Sequence, residues 1–132
     1  MVKLQAIFLG AFPLGSAKAA RILTTETVLD NNVVYGSGNT VGGDINTVTG
    51  YDNTVIGSQN NAYGNTNTVV GGVNDVNGNV NVISGNYNGV KGDYNGVVGS
   101  VNTVDGSVNG VIGNYNAVNG NYNNLSGDGN YV

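Results

Sequence analysis

Residues 67–94 read NTVVGGV-NDVNGNV-NVISGNY-NGVKGDY, four copies of one heptad, Asn-x-Val-x-Gly-x-x, with no insertion or deletion between them. Ile83 is the sole departure from Val at the third position within this stretch. The heptad extends outward in both directions, from Asn32 to Val132. Its first residue is Asn in every copy, from Asn32, Asn39 and Asn46 to Asn130. The third is Val except at Ala62, Ile83 and Leu125, and the fifth is Gly in every complete copy, from Gly36 to Gly127. A period this strict is the mark of a repeat architecture.

Helix is excluded first. A Gly at every seventh residue costs a helix roughly 1 kcal/mol each relative to Ala, and an Asn/Val seam is not the apolar seam of a coiled coil. Strand fits better. Side chains alternate along an extended chain, so the first, third and fifth residues share one face, and Gly then makes a turn where a Cβ is unfavourable. One heptad gives a short strand and a corner. A closed coil needs two strands, so about fourteen residues make one turn of an all-β solenoid, a β-roll of two short parallel sheets. Val41, Val55, Val69, Ile83, Val97, Val111 and Leu125 then form one inward ladder. Val34, Val48, Ala62, Val76, Val90, Val104, Val118 and Val132 form the opposing one. The Asn residues stack at the corners, with their amides bonding the coils above and below as in cross-β Asn ladders.

Composition narrows the function. The chain has 132 residues, enough for one domain, and its net charge is -4. It has no Cys and no His, so no disulfide, thiolate or imidazole chemistry is available. Within the repeats the only cation is Lys91, which argues against nucleic acid, since phosphate binding needs clustered Lys and Arg. No later segment is apolar enough to span a membrane. The acids Asp44, Asp52, Asp75, Asp93, Asp105 and Asp128 fall at different heptad positions and build no repeated cage. Gly42-Gly43-Asp44 is like a fragment of a calcium β-roll, but that repeat is nine residues long. The reading is a protein that is not an enzyme, with no metal and no cofactor.

The first residues form a different unit. Lys3 supplies a positive start, Leu4 to Leu14 is a short apolar run, and Ala17-Lys18-Ala19 fits the small-x-small cleavage rule. Residues 1–19 are therefore expected to be a secretory signal peptide, cut after Ala19 or Ala20, and the mature protein is expected to be secreted and extracellular. Residues 20–31 are expected to cap the array, with Ile22, Thr24, Glu26 and Val28 spaced as in an irregular strand. Residues 32–132 form the β-roll.

With two heptads per coil, the outward second and fourth positions sort onto two faces. One carries Thr40/Gly42, Thr54/Ile56, Thr68/Val70, Val82/Ser84, Gly96/Val98, Gly110/Ile112 and Asn124/Ser126, without charge or aromatic ring. The other carries Val33/Tyr35, Thr47/Thr49, Asn61/Tyr63, Asp75/Asn77, Gly89/Lys91, Thr103/Asp105 and Ala117/Asn119, an ordinary solvated mixture. Exposed Ile56, Val70, Val98 and Ile112 in register make a contiguous apolar patch, and such patches usually mark binding. Strand propensity explains β-branched residues on both faces. It does not explain why only one face lacks charge.

The heptad closely resembles the repeat of the grass ice-binding and ice-recrystallisation-inhibition proteins of the ryegrass antifreeze type. The match runs from Asn32 to Val132 and keeps Asn, Val and Gly in register. The resemblance implies a left-handed β-roll with an ice site on a flat Thr/Ser/Val face. Carried over, that site is Thr40, Thr54, Ile56, Thr68, Val70, Val82, Ser84, Val98 and Ile112, and the partner is ice or another ordered surface. This sequence departs from the pattern at Gly96 and Gly110, where Thr is expected, and in its frequent Tyr. Tyr87 and Tyr115 alternate with Val73 and Val101, and Tyr94 and Tyr122 with Val80 and Val108, as if four heptads had been duplicated.

A second function class stays open: a structural or adhesive extracellular repeat protein, at a cell surface, in a matrix or at a host, without ice activity. Fourteen-residue β-rolls also build the heads of trimeric bacterial adhesins, although with a different motif. The last copy stops at Asn130-Tyr131-Val132, and an open strand edge invites pairing with another chain. The edge is tolerated, or copies associate end to end, or a polymer covers it. Asn124-Leu125-Ser126 is an N-glycosylation sequon on the last coil of the uncharged face.

Overall fold

The computed structural model describes residues 31–132. The expected signal peptide, residues 1–19, and all of the expected cap but Asn31 lie outside the described residues. Fourteen strands follow in order: β1 (Val33–Tyr35), β2 (Thr40–Gly42), β3 (Thr47–Thr49), β4 (Thr54–Ser58), β5 (Asn61–Tyr63), β6 (Thr68–Gly72), β7 (Asp75–Asn77), β8 (Val82–Asn86), β9 (Gly89–Lys91), β10 (Gly96–Val98), β11 (Thr103–Asp105), β12 (Gly110–Ile112), β13 (Ala117–Asn119) and β14 (Asn124–Ser126). Each holds positions two to four of its heptad, and β4, β6 and β8 run two residues longer. Odd strands form one seven-stranded sheet and even strands another. Every pairing is parallel and joins residues two heptads apart, as Val48 to Ala62 and Ile83 to Val97. The chain turns once per pair of heptads, as the spacing predicts.

The core is the row of third-position residues between the sheets. Val48, Val55, Ala62, Val69, Val76, Ile83, Val90, Val97, Val104, Val111 and Val118 are buried, and Val34, Val41 and Leu125 pack half-buried at the two ends. Val132 was expected in the same ladder but is 46% exposed, because none of the described coils stacks above it. Its backbone still pairs with β13, donating from N to the Ala117 carbonyl at 2.9 Å.

The Asn residues are the second half of the core. Twelve of them, from Asn39 to Asn116, are buried. A buried amide is costly unless all its groups are bonded, and the period satisfies them by translation. Asn81 shows the unit. Its Nδ2 donates to the Gly92 carbonyl at 2.9 Å and to Asn67 Oδ1 at 3.1 Å, while its Oδ1 accepts from Asn95 N at 2.9 Å and Asn95 Nδ2 at 3.1 Å. Among the described residues no buried side-chain N or O lacks a partner. Asn81→Asp keeps the shape and both acceptor bonds but puts an oxygen where two other oxygens expect a donor, in a fully buried site. It should cost about 3 kcal/mol or more, read as a lower urea midpoint at neutral pH. An unchanged midpoint removes the ladder from what holds the fold.

The corners are tighter than the sequence suggests. Gly at position five has positive φ, as expected, but position seven is left-handed too. Twelve non-Gly residues there, from Ile45 to Tyr122, have φ between 56° and 61°. One edge is also crossed by a continuous outer ladder at position six, opposite in direction to the inner one, and the other edge carries shorter runs of it, Gly72 to Asn86 and Ser100 through Asn114 to Asp128. On the continuous edge the bonds follow one another from coil to coil. Asn65 Oδ1 accepts from Tyr51 N at 3.0 Å, Asn79 Oδ1 from Asn65 N at 3.0 Å, and Asp93 Oδ1 from Asn79 N at 2.6 Å. Ser107 Oγ and Asn121 Oδ1 continue the series. Side-chain acceptors thus tie backbone N–H groups of successive coils together along both edges, continuously on one and in shorter runs on the other.

Candidate functional site

Because Val at position three points inward, its neighbours at positions two and four point out, and parallel pairing stacks like positions in columns. On the even-strand sheet, Thr40, Thr54, Thr68, Val82, Gly96, Gly110 and Asn124 form one column in direct register. Gly42, Ile56, Val70, Ser84, Val98, Ile112 and Ser126 form the other. Columns lie about 6.6 Å apart and rows about 4.7–4.9 Å apart. All nine residues singled out from the sequence stand on this one surface, none shielded by another element. Ile56, Val70, Val82, Val98 and Ile112 are 40–58% exposed, which is high for apolar side chains on a sheet. Thr54 and Thr68 are half-buried between their neighbours in the column.

The surface divides lengthwise. From β2 to β8 the first column is Thr, Thr, Thr, Val. From β10 to β12 it is Gly, and a Cβ built on Gly96 meets no atom within 4 Å, so a shallow trough runs beside Val98 and Ile112. Asn124 follows on β14, exposed, so the sequon sits at the end of this surface.

The odd-strand sheet differs in kind. It carries Asp75, Lys91 and Asp105, with a Lys91 Nζ to Asp105 Oδ2 pair at 3.7 Å whose side chains are both well exposed. Such a pair contributes little, but its charges are strongly hydrated. Asp44, Asp52, Asp93 and Asp128 lie at corners. No group of three His, Cys, Asp or Glu is placed to share an ion among the described residues, and no helix there is long and apolar enough to cross a membrane.

The left-handed corner residues and the outer ladder were not picked out from the sequence. The only signal was the alternation of Val and Tyr at position seven. Asn, Asp and Ser recur at position six but share no residue identity with each other, so no period announces them.

The comparison with curated proteins finds no match. A family model described as the grass antifreeze beta roll matches residues 30–132, the whole repeat region with its two sheets. The chain therefore belongs to the grass antifreeze β-roll family, whose members are ice-binding proteins.

Proposed function

We propose that the protein is secreted, adsorbs to ice through the outward surface of the even-strand sheet, and slows ice recrystallisation more than it depresses the freezing point. The observation that supports this reading is the uncharged, ring-free double column on one sheet, set against charge on the other. A rigid grid of hydroxyls and methyls can hold a water layer in ice-like order. Hydroxyls of Thr40, Thr54, Thr68 and Ser84 anchor it, and methyls of Ile56, Val70, Val98 and Ile112 limit competing hydrogen bonds. The gaps at Gly96 and Gly110 interrupt the grid, which favours slow grain growth over strong freezing-point depression. Lys3, the Leu4–Leu14 run and Ala17-Lys18-Ala19 support secretion.

The test is an ice-recrystallisation assay on the secreted form, whose amino terminus should be Ala20 or Arg21. Ile56→Lys plants a hydrated charge in the middle of the surface and should return grain growth to the buffer rate. Tyr63→Ser, on the opposite sheet, should leave inhibition intact. Both variants should keep the wild-type circular dichroism, since both positions face out. Equal loss in the two variants takes the activity away from this surface.

A further inference from the structure

Eight successive corners, from Val73 to Tyr122, hold Val or Tyr in the left-handed region, with φ between 57° and 61°. Both are poor choices there. A branched or bulky side chain crowds the following carbonyl, whereas Gly, Asn or Asp fits. Burial does not compensate, because Tyr87, Tyr94, Tyr115 and Tyr122 are 63%, 62%, 69% and 81% exposed. Strain kept at exposed side chains points to a use for those side chains.

Their arrangement is regular. Along one edge of the solenoid stand Val73, Tyr87, Val101 and Tyr115, each one coil from the next. Along the other edge stand Val80, Tyr94, Val108 and Tyr122. A phenol ring therefore recurs every second coil on each edge, about 9.4–9.8 Å apart. None of the eight residues is charged. The outer ladder runs beside the second of these edges, through Asn79, Asp93, Ser107 and Asn121, so the backbone next to Tyr94 and Tyr122 is already held before any ligand arrives.

We propose that these edges bind a neutral, extended β-1,4-linked polysaccharide lying parallel to the solenoid axis. In such a ribbon alternate sugars present the same face, so like faces recur once per disaccharide, a length close to two coil spacings. A Tyr ring stacks on the apolar C–H face of a pyranose and offers its hydroxyl to the rim, and the Val between two rings covers the intervening sugar. An extended peptide fits poorly, since its like side chains recur every 6.6–6.8 Å. An acidic polymer would meet no cation on either edge. The site is separate from the uncharged sheet surface and does not depend on the ice reading.

The combined variant Tyr87→Asn, Tyr94→Asn, Tyr115→Asn, Tyr122→Asn tests it, because Asn suits a left-handed residue and leaves the fold unharmed. Wild-type protein should be depleted by regenerated amorphous cellulose and retarded in gels containing hydroxyethylcellulose. The variant should bind roughly tenfold more weakly or less, with a melting midpoint no lower than wild type and ice recrystallisation still slowed. Failure of wild-type protein to bind either cellulose overturns the proposal. So does equal binding by the variant, or equal binding of wild type to polygalacturonate. Loss of self-association in the variant, without cellulose binding by wild type, assigns the edges to contact between copies of this chain instead.

Discussion

Alanine at Gly85 should destabilise the protein by about 4 kcal/mol or more, through overpacking and backbone strain together. Gly85 has φ +138°, and a Cβ built there comes to 1.8 Å from the Gly99 carbonyl oxygen of the next coil. That oxygen also accepts the Asn88 amide at 2.9 Å. A methyl group can be admitted only by separating two coils, which lengthens the parallel pairing and pulls Asn88 from its acceptor. The obstacle is backbone, so no side chain can rotate away to relieve it. Gly96→Ala is the matched control. It lies in a strand with open space around it and ordinary φ, so it should hold or raise stability by roughly 0.5 kcal/mol. Chemical denaturation of the two variants beside wild type decides the matter. If Gly85→Ala unfolds at the wild-type denaturant concentration, the coils are not closed against one another at that glycine.

The double substitution Gly96→Thr, Gly110→Thr should make the protein a better inhibitor of ice recrystallisation, active at several times lower concentration. A Cβ at Gly96 meets nothing within 4 Å, and one at Gly110 meets only Asn124 Oδ1, at 3.5 Å. Threonine suits an exposed strand position, so the change fills the trough beside Val98 and Ile112 without disturbing the core. The hydroxyl column begun by Thr40, Thr54 and Thr68 then continues over two more coils, with Val82 as its one interruption. Gly89→Thr on the opposite sheet is the control, since a Cβ at Gly89 also meets nothing within 4 Å. It should match the stability change and leave ice grain growth as in wild type. A double variant no better than wild type, or a control that improves equally, counts against the even-strand surface as the working one.

The sequence showed the main lines of this fold because the repeat is shorter than one coil and never slips. Alternation along three residues sends Val in and its neighbours out, and pairing of heptads then sorts Asp75, Lys91 and Asp105 onto one sheet and Ile56, Val70 and Ile112 onto the other. The Asn ladder was legible for the same reason, since one residue type at one phase must stack on itself. The corners were not. Turn chemistry leads one to look for Gly, Asn or Asp wherever φ is positive, and that rule finds Gly85 but passes over Val101 and Tyr115. The sequence also supplies only half the reason for the position-five Gly. Positive φ is a local demand, whereas the collision with Gly99 comes from the next turn of the chain and is visible only when coils are stacked. The placement of Val132 missed for a similar reason, because burial at that phase depends on a coil above.

Strand pairing two heptads apart makes parity a property of the molecule. Loss or gain of a single heptad would keep every Val and Asn in phase, yet it would send all later strands to the wrong side and splice the charged surface onto the uncharged one. Changes by an even number of heptads lengthen or shorten the rod without mixing its sides. The four-heptad pattern shared by Asn67–Tyr94 and Asn95–Tyr122 is an even number, two full turns, so copying such a unit would enlarge the protein while keeping its two sides distinct.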